Sequence, residues 1–541
     1  MAGNSRMIIM DCPDARHEQL GEAISSDLLF DPLITIASAA GRVRSSLPEV
    51  LAALTRDAVE DFPALAAHQR QFWYSFLVQL GAMALARSGT ASPPEDPASW
   101  RDLLNRLAPD HKATAWALIV EDVARPAFLQ PPSPSGALDG FSQAASTPDG
   151  LDLLVTARNH DVKLARYNHG SAEHWMYALV CLQTGQGFLG AGNYGIARMN
   201  GGFASRVLVE LSPSDRWGGR FRRGLAVGID ERRSMLEQEG YFRADGHPLL
   251  WIEPWDGRTS LSLYDLDPLF IEICRRVRLV VDPSGHIIAM KKPTHTARVQ
   301  AKEAKGVVGD LWIPIDLTKG AALTIGKEGF TYRKVAEIIG DPNIELPAAL
   351  AHRGDDPEEV DLHLAVLARG QGGTDGLHER HIPMRKNDAR RLFGDSRPAL
   401  GDIARRMVDE AAKGALDPLR LGLLQYLQGG REDFNDLRRS DRRPDPWLSR
   451  AGTDIDGIFF THLWAIAAAG DVSAEDSSAA WRAWQQDLRA RSAVVLEAAM
   501  RSLPVPDGRR ERARAFAERA FRTVQSKALS HLRADPKEAT P

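Results

Sequence analysis

Cysteine is scarce in this 541-residue sequence: Cys12, Cys181 and Cys274 stand far apart and never in C-x-x-C spacing, so neither a disulfide framework nor a cysteine-based zinc site is available. No apolar run is long enough for a membrane helix. The opening MAGNSRMIIMDCPD places an aspartate soon after a few apolar residues, which is no secretory signal, and a cytosolic protein is expected. An excess of positive charge is also lacking. The formal net charge is −4, whereas a chain that gripped duplex nucleic acid alone would be more basic. Any nucleic-acid contact must therefore be local, or shared with other subunits. No repeat of fixed period occurs.

What is present is an ordinary globular composition, 44% hydrophobic and 26% charged, over a length that calls for two or three domains. Residues 1–26 read as a loosely structured leader. LLFDPLITI then gives a short strand, and SLPEVLAAL a helix opened by a capping box of Ser46 and Glu49. His68–Arg87 reads as an amphipathic helix with Phe72, Phe76, Leu77 and Leu80 on one face. Between about 247 and 335, stretches such as RRVRLVVDPSGHIIAMKK suggest strands and hairpins, with a turn at Asp282. DLHLAVLARG reads as a strand that feeds RGQGGTDGLHERH. From 385 onward helical patterns dominate, with Trp464, Trp481, Trp484, Leu488 and Val495 as interior positions. The expected class is α+β: a large mixed α/β N-terminal domain over 27–384, followed by a C-terminal four-helix bundle over 385–541.

The densest signal is Gly187–Arg206, GFLGAGNYGIARMNGGFASR, with six glycines in twenty residues. Such density suits backbone at positive φ, or close approach of main-chain amides to a ligand. Within it GAGNYG matches the dinucleotide fingerprint G-x-G-x-x-G, which requires a strand before it and a helix after it. The residues before it, Ala172–Gln183, read as a helix, and Gly201-Gly202 stop any helix after it. No nucleotide cofactor is expected.

Taken in order, LLFDPLITI, PAFLQPP, LVTARNHDVK, the glycine stretch, WIEPWDG, LFIEICRRVRL and LARGQGGTDGLHERHIP resemble CasA, the large subunit of the type I-E CRISPR surveillance complex, Cascade. The set is colinear from about residue 27 onward. The resemblance implies a non-catalytic subunit that reads a protospacer-adjacent motif on duplex DNA, helps open it for pairing with the guide RNA, and recruits a helicase–nuclease in trans. Its implied partners are the guide RNA, double-stranded target DNA and the backbone, small and guide-end-binding subunits, with no membrane. Some family members carry a zinc-binding cysteine cluster; here DPSGHIIAMKK follows Cys274 without a further cysteine, so no metal is carried over.

Residue by residue, the resemblance places motif contacts on Gly190, Ala191, Gly192 and Asn193, where backbone approach suits the degenerate minor groove. A lysine finger falls on Lys302 or Lys305. A wedge between the strands falls on Gln371, Gly372 and Gly373, with Gln371 or Gly373 at its tip. Asn159, His160 and Asp161 match a loop that contacts the guide RNA end and neighbouring subunits. Arg216, Arg220, Arg222 and Arg223, interleaved with Trp217 and Phe221, are a candidate phosphate-binding patch. Two rivals remain: a metal-dependent nuclease using the Asn159-His160-Asp161 region, and a scaffold that has lost motif reading.

Overall fold

The computed structural model describes residues 26–90, 92–152, 170–201, 206–213, 216–238, 241–370, 373–430, 437–470 and 474–532. They fall into two units, one formed by the chain up to Gly329 with Pro347–Leu350 and Asp361–His381, the other by Phe330–Leu346, Ala351–Val360 and Ile382 onward.

The first unit opens with a small hairpin of β1 (Ile34–Ser38) and β2 (Gly41–Ser45), then α1 (Leu47–Thr55). Glu49 accepts the Ser46 backbone N–H at 2.6 Å, the expected capping contact. Next comes α2 (Arg70–Ser88), followed by α3 (Pro97–Leu107). The sequence predicts an amphipathic α2, but every residue from Gln71 to Leu85 is buried. The helix is enclosed on all sides, so its polar residues find internal partners. Gln71 donates to the Arg206 carbonyl at 3.0 Å, and the Arg206 guanidinium donates to Gln79 at 2.9 Å and to Ser75 at 3.3 Å.

Farther along lie β3 (Gln143–Ala145), α4 (Ala172–Gly185), β4 (Val207–Ser212), α5 (Trp217–Glu237) and β5 (Leu266–Ile271). Then β6 (Arg276–Val281) and β7 (Ile287–Lys292) form an antiparallel hairpin turned at Asp282, whose N–H donates to the His286 carbonyl at 2.8 Å. The long strands β8 (Glu359–Gly370) and β9 (Gly373–Arg385) complete the layout. One three-stranded sheet runs β3-β7-β6 and another runs β9-β8-β4, with β9 at its edge.

The second unit is helical. Thr331 caps α6 (Tyr332–Gly340), which packs on α7 (Ser396–Ala411) where Gly340 and Gly401 meet backbone to backbone. A π turn at Ala412–Leu416 joins α7 to α8 (Asp417–Leu427). Buried Gln525 donates to the Gly414 carbonyl at 2.9 Å, satisfying an acceptor that the π turn frees. Helices α9 (Asp445–Ala469), α10 (Ala474–Ser502) and α11 (Arg510–Ala528) enclose cores that include Leu419, Leu423, Val495 and Phe521. Trp464, Trp481, Trp484 and Leu488 are buried, as their spacing predicts. Among the described residues no helix is long and apolar enough to cross a membrane.

Candidate nucleic-acid interface

The glycine-rich stretch leaves α4 and makes a tight turn, with Asn193 N–H donating to the Gly190 carbonyl at 3.0 Å and Leu189 N–H to the Asn193 carbonyl at 2.9 Å. Gly190 and Gly192 take φ of +102° and +86°, a region that residues with a Cβ avoid. At Gly195 a Cβ would come within 2.6 Å of the Gly187 backbone, so the two limbs of the loop touch. No helix follows, and a helix rather than a strand precedes, which removes the dinucleotide reading. Ala191 and Leu189 are exposed at the apex.

Side chains from elsewhere hold this shape. Arg275 donates to the carbonyls of Gly187, at 2.9 Å, and Tyr194. Thr294 N–H donates to the Gly192 carbonyl at 3.1 Å. The two arginines of the stretch turn inward rather than toward a ligand. Arg198 lies 3.8 Å over the Phe270 ring and 3.3 Å from Glu272, and Arg206 sits 2.9 Å from Asp310. For Arg198 and Glu272 burial outweighs pairing: the guanidinium is pushed below and the carboxyl above its ordinary pKa. Ile196 and Met199 pack with Cys274.

A cavity of about 380 Å³ opens beside the loop, lined by Leu189 and Asn193, by Arg369 and Gly373 at the base of the β8–β9 turn, and by Arg275, Arg276, Lys291 and Lys292. Five of its lining residues are basic and none is acidic. The register of the β6–β7 hairpin sets Arg276 directly opposite Lys292. Like charges in that position destabilise a sheet, a cost that an anion would relieve. The hydrogen bonds described for Arg275, Arg276, Lys291 and Lys292 go to carbonyl oxygens, those of Gly187, Asp256, Gly150 and Asp139 among them. A carbonyl accepts the hydrogen without cancelling the charge. Burial, and then the neighbouring Arg275 charge, hold the Lys291 ammonium below its ordinary pKa. Sequence reasoning missed this group, although RR at 275–276 and KK at 291–292 are symmetric about the Asp282 turn.

The remaining expected residues scatter. Lys302 and Lys305 are exposed and do not line the cavity. Their turn nonetheless reaches the far end of the glycine-rich stretch, since a Cβ on Gly306 would lie 2.7 Å from the Asn200 nitrogen. The four arginines of the candidate phosphate-binding patch have different partners. Arg220 pairs with Glu210 at 2.7 Å with its side chain 12% exposed, and Arg223 is buried and donates to the Ala349 carbonyl at 2.7 Å. Arg216 pairs with Asp57 at 3.0 Å, and Arg222 donates to the Thr55 carbonyl at 3.0 Å, on a different element. Arg220 and Arg223 thus turn inward, whereas Arg216 and Arg222 stay exposed beside the C-terminal end of α1. Residues 1–25, Asn159, His160, Asp161, Gln371 and Gly372 lie outside the described residues. The two groups with metal-ligand chemistry among the described residues, His68–Asp152–Cys181 and His363–Glu379–His381, do not line the cavity.

No protein-family model and no curated protein sequence matches the chain. Solved structures do. CasA (Cse1) of Thermus thermophilus superposes with a TM-score of 0.61 at 16% identity, covering 93% of this chain and 99% of that one. Cse1 of Thermobifida fusca gives 0.60 at 16% identity, over 93% of this chain and 98% of the other. The CRISPR-associated protein Cse1 of Acidimicrobium ferrooxidans gives 0.56 at 13%, over 94% and 98%. Over nearly its whole length, this chain has the fold of the CasA (Cse1) structures.

Proposed function

We propose that this chain is the large, non-catalytic subunit of a type I-E Cascade complex, reading a protospacer-adjacent motif on duplex DNA and helping to open the duplex for guide RNA pairing. A helicase–nuclease recruited in trans would cut. One observation carries the reading: Leu189 and Asn193 of the glycine-rich loop, and Arg369 and Gly373 at the base of the β8–β9 turn, line a single cavity whose charged lining is all basic. Backbone approach suits tolerant reading of a short motif, basic side chains suit phosphate, and the guide carries the longer sequence. The net charge of −4 fits a subunit whose neighbours hold the heteroduplex.

The test is duplex binding by the guide-loaded complex, with and without this chain, over a randomised flank read by sequencing the bound fraction. Flank enrichment that depends on this chain is expected. Ala191→Asp should abolish it, since the position is exposed and free of the positive φ of its glycine neighbours. Gln371→Ala should weaken duplex opening more than initial binding. Equal binding to all flanks with the chain present would leave a scaffold instead.

A further inference from the structure

Across the β9-β8-β4 sheet, from buried His363 and Glu210 to its exposed β9 edge, three strands bring together side chains that the duplex-reading proposal does not use. His363 on β8 stands directly opposite Glu210 on β4. Glu379 and His381 lie two residues apart on edge strand β9, hence on one face, and both are exposed. Glu379 Oε1 lies 3.0 Å from His363 Nε2 and 3.6 Å from His381 Nε2. The two imidazoles are stacked, with centroids 4.3 Å apart and planes at 23°, so an ion bound by both would draw the exposed His381 ring out of the stack to aim its Nε2 lone pair at it.

We propose that His363 Nε2, His381 Nε2 and Glu379 form a binding site for a zinc-class divalent cation. Ligand atoms bound tetrahedrally at about 2.0–2.2 Å from zinc stand about 3.3–3.5 Å apart, and the separations above bracket that distance. Two imidazoles and a carboxylate favour zinc, cobalt or nickel over the oxygen-seeking magnesium and calcium. Behind each imidazole stands a second carboxylate: Glu210 Oε1 is 3.3 Å from His363 Nδ1, and Asp361 Oδ2 is 3.9 Å from His381 Nδ1. For His363 that is the outer hydrogen bond that fixes the tautomer of a metal-bound histidine, whereas Asp361 lies beyond hydrogen-bond distance of His381. Arg220 Nη2 also approaches His363 Nδ1, at 3.0 Å, and competes with Glu210 for it. A cation decides the competition: it takes the Nε2 lone pair and leaves the proton on Nδ1, facing Glu210. Arg220 keeps its bonds to Glu210 at 2.7 and 3.0 Å.

The half-exposed Glu379 and His381 leave a side open for water as fourth ligand. Because among the described residues β9 pairs with β8 alone, an ion bound across them would staple these two strands together. His68–Asp152–Cys181 is the weaker candidate. Its Asp152 oxygen already accepts from Gln69 at 2.6 Å, and burial pushes the Cys181 thiol well above its ordinary pKa, against the thiolate that a metal needs.

The test uses the full-length chain, stripped with chelator and dialysed, then titrated with zinc alone by calorimetry and with cobalt alone by visible spectroscopy. One zinc per chain and cobalt bands of low coordination number are expected. Glu379→Gln and His381→Asn, both at exposed positions, should each weaken binding at least tenfold while leaving the circular dichroism unchanged. Cys181→Ser should bind as the parent does. A chain that takes up no zinc, a Glu379→Gln/His381→Asn double variant that binds normally, or binding lost only with Cys181→Ser would each overturn the site. None of these outcomes depends on whether the complex shows a flank preference.

Discussion

Arg275 reaches the carbonyl of Gly187 at 2.9 Å across 88 positions of sequence, and the same guanidinium also bonds the carbonyl of Tyr194. One buried side chain therefore closes both limbs of the glycine-rich loop. Charge-assisted hydrogen bonds of this kind contribute about 1.5–3 kcal/mol each. Arg275→Ala should raise amide hydrogen exchange across residues 187–196 more than tenfold and lower global stability by about 2 kcal/mol, read by exchange mass spectrometry and urea unfolding.

Lys302 and Lys305 differ in backbone: Lys305 sits at φ +47° and its ammonium lies 3.5 Å from the Lys319 carbonyl. A lysine that contacts a phosphate releases a counterion, so its removal should lower the salt dependence of duplex binding by about one unit of slope. We expect that change from alanine at one of the two positions and not the other. Equal slopes for both variants and the parent would remove the finger from this turn.

The inward turn of Arg220 to Glu210 has its own consequence. Arg220→Ala leaves Glu210 buried without its main partner and should cost about 3–5 kcal/mol in denaturant unfolding. Arg222 is exposed and bonds one carbonyl, so Arg222→Ala should cost under about 1 kcal/mol. Comparable losses would mean that Arg220 does not hold α5 in the way its contacts imply.

Burial pushes the Cys274 thiol up to about 11 and the Cys181 thiol well above its ordinary value. Iodoacetamide at pH 8.5 should leave both unlabelled in the folded chain and label both after unfolding, as read by peptide mass spectrometry. The sign for stability follows. A thiol whose folded pKa lies above its unfolded value favours folding fully below about pH 9, and that contribution falls as pH rises toward 11.

Much of the fold was legible because periodicity reports local structure. The helix before GAGNYG, the hairpin around Asp282 and the buried tryptophans of the C-terminal region all follow from spacing. The surroundings of an element were not legible. The buried polar face of α2 reads as a solvent face until Arg206 is seen to fill it. The cationic cavity needed the register of β6 against β7, which brings 276 to 292. The histidine–glutamate cluster needed three strands at once, two of them far apart in sequence. The arginine cluster reads as one basic patch because the sequence does not show the partners, Glu210 and the Ala349 carbonyl, that draw Arg220 and Arg223 inward.

The anchored glycine loop also bears on how any duplex would be engaged. Fixing a flexible backbone costs about 1–2 kcal/mol per residue, and a segment that folds only on contact pays it at that moment. Here the turn at Gly190–Asn193 is built beforehand by Arg275, Thr294 and its own amides. Little conformational entropy is left to lose on association, and the heat-capacity change should be small. Under the proposed function, discrimination between flanking sequences would rest on steric and electrostatic fit to a rigid template, and a poor flank would be rejected quickly because no folding step holds it in place.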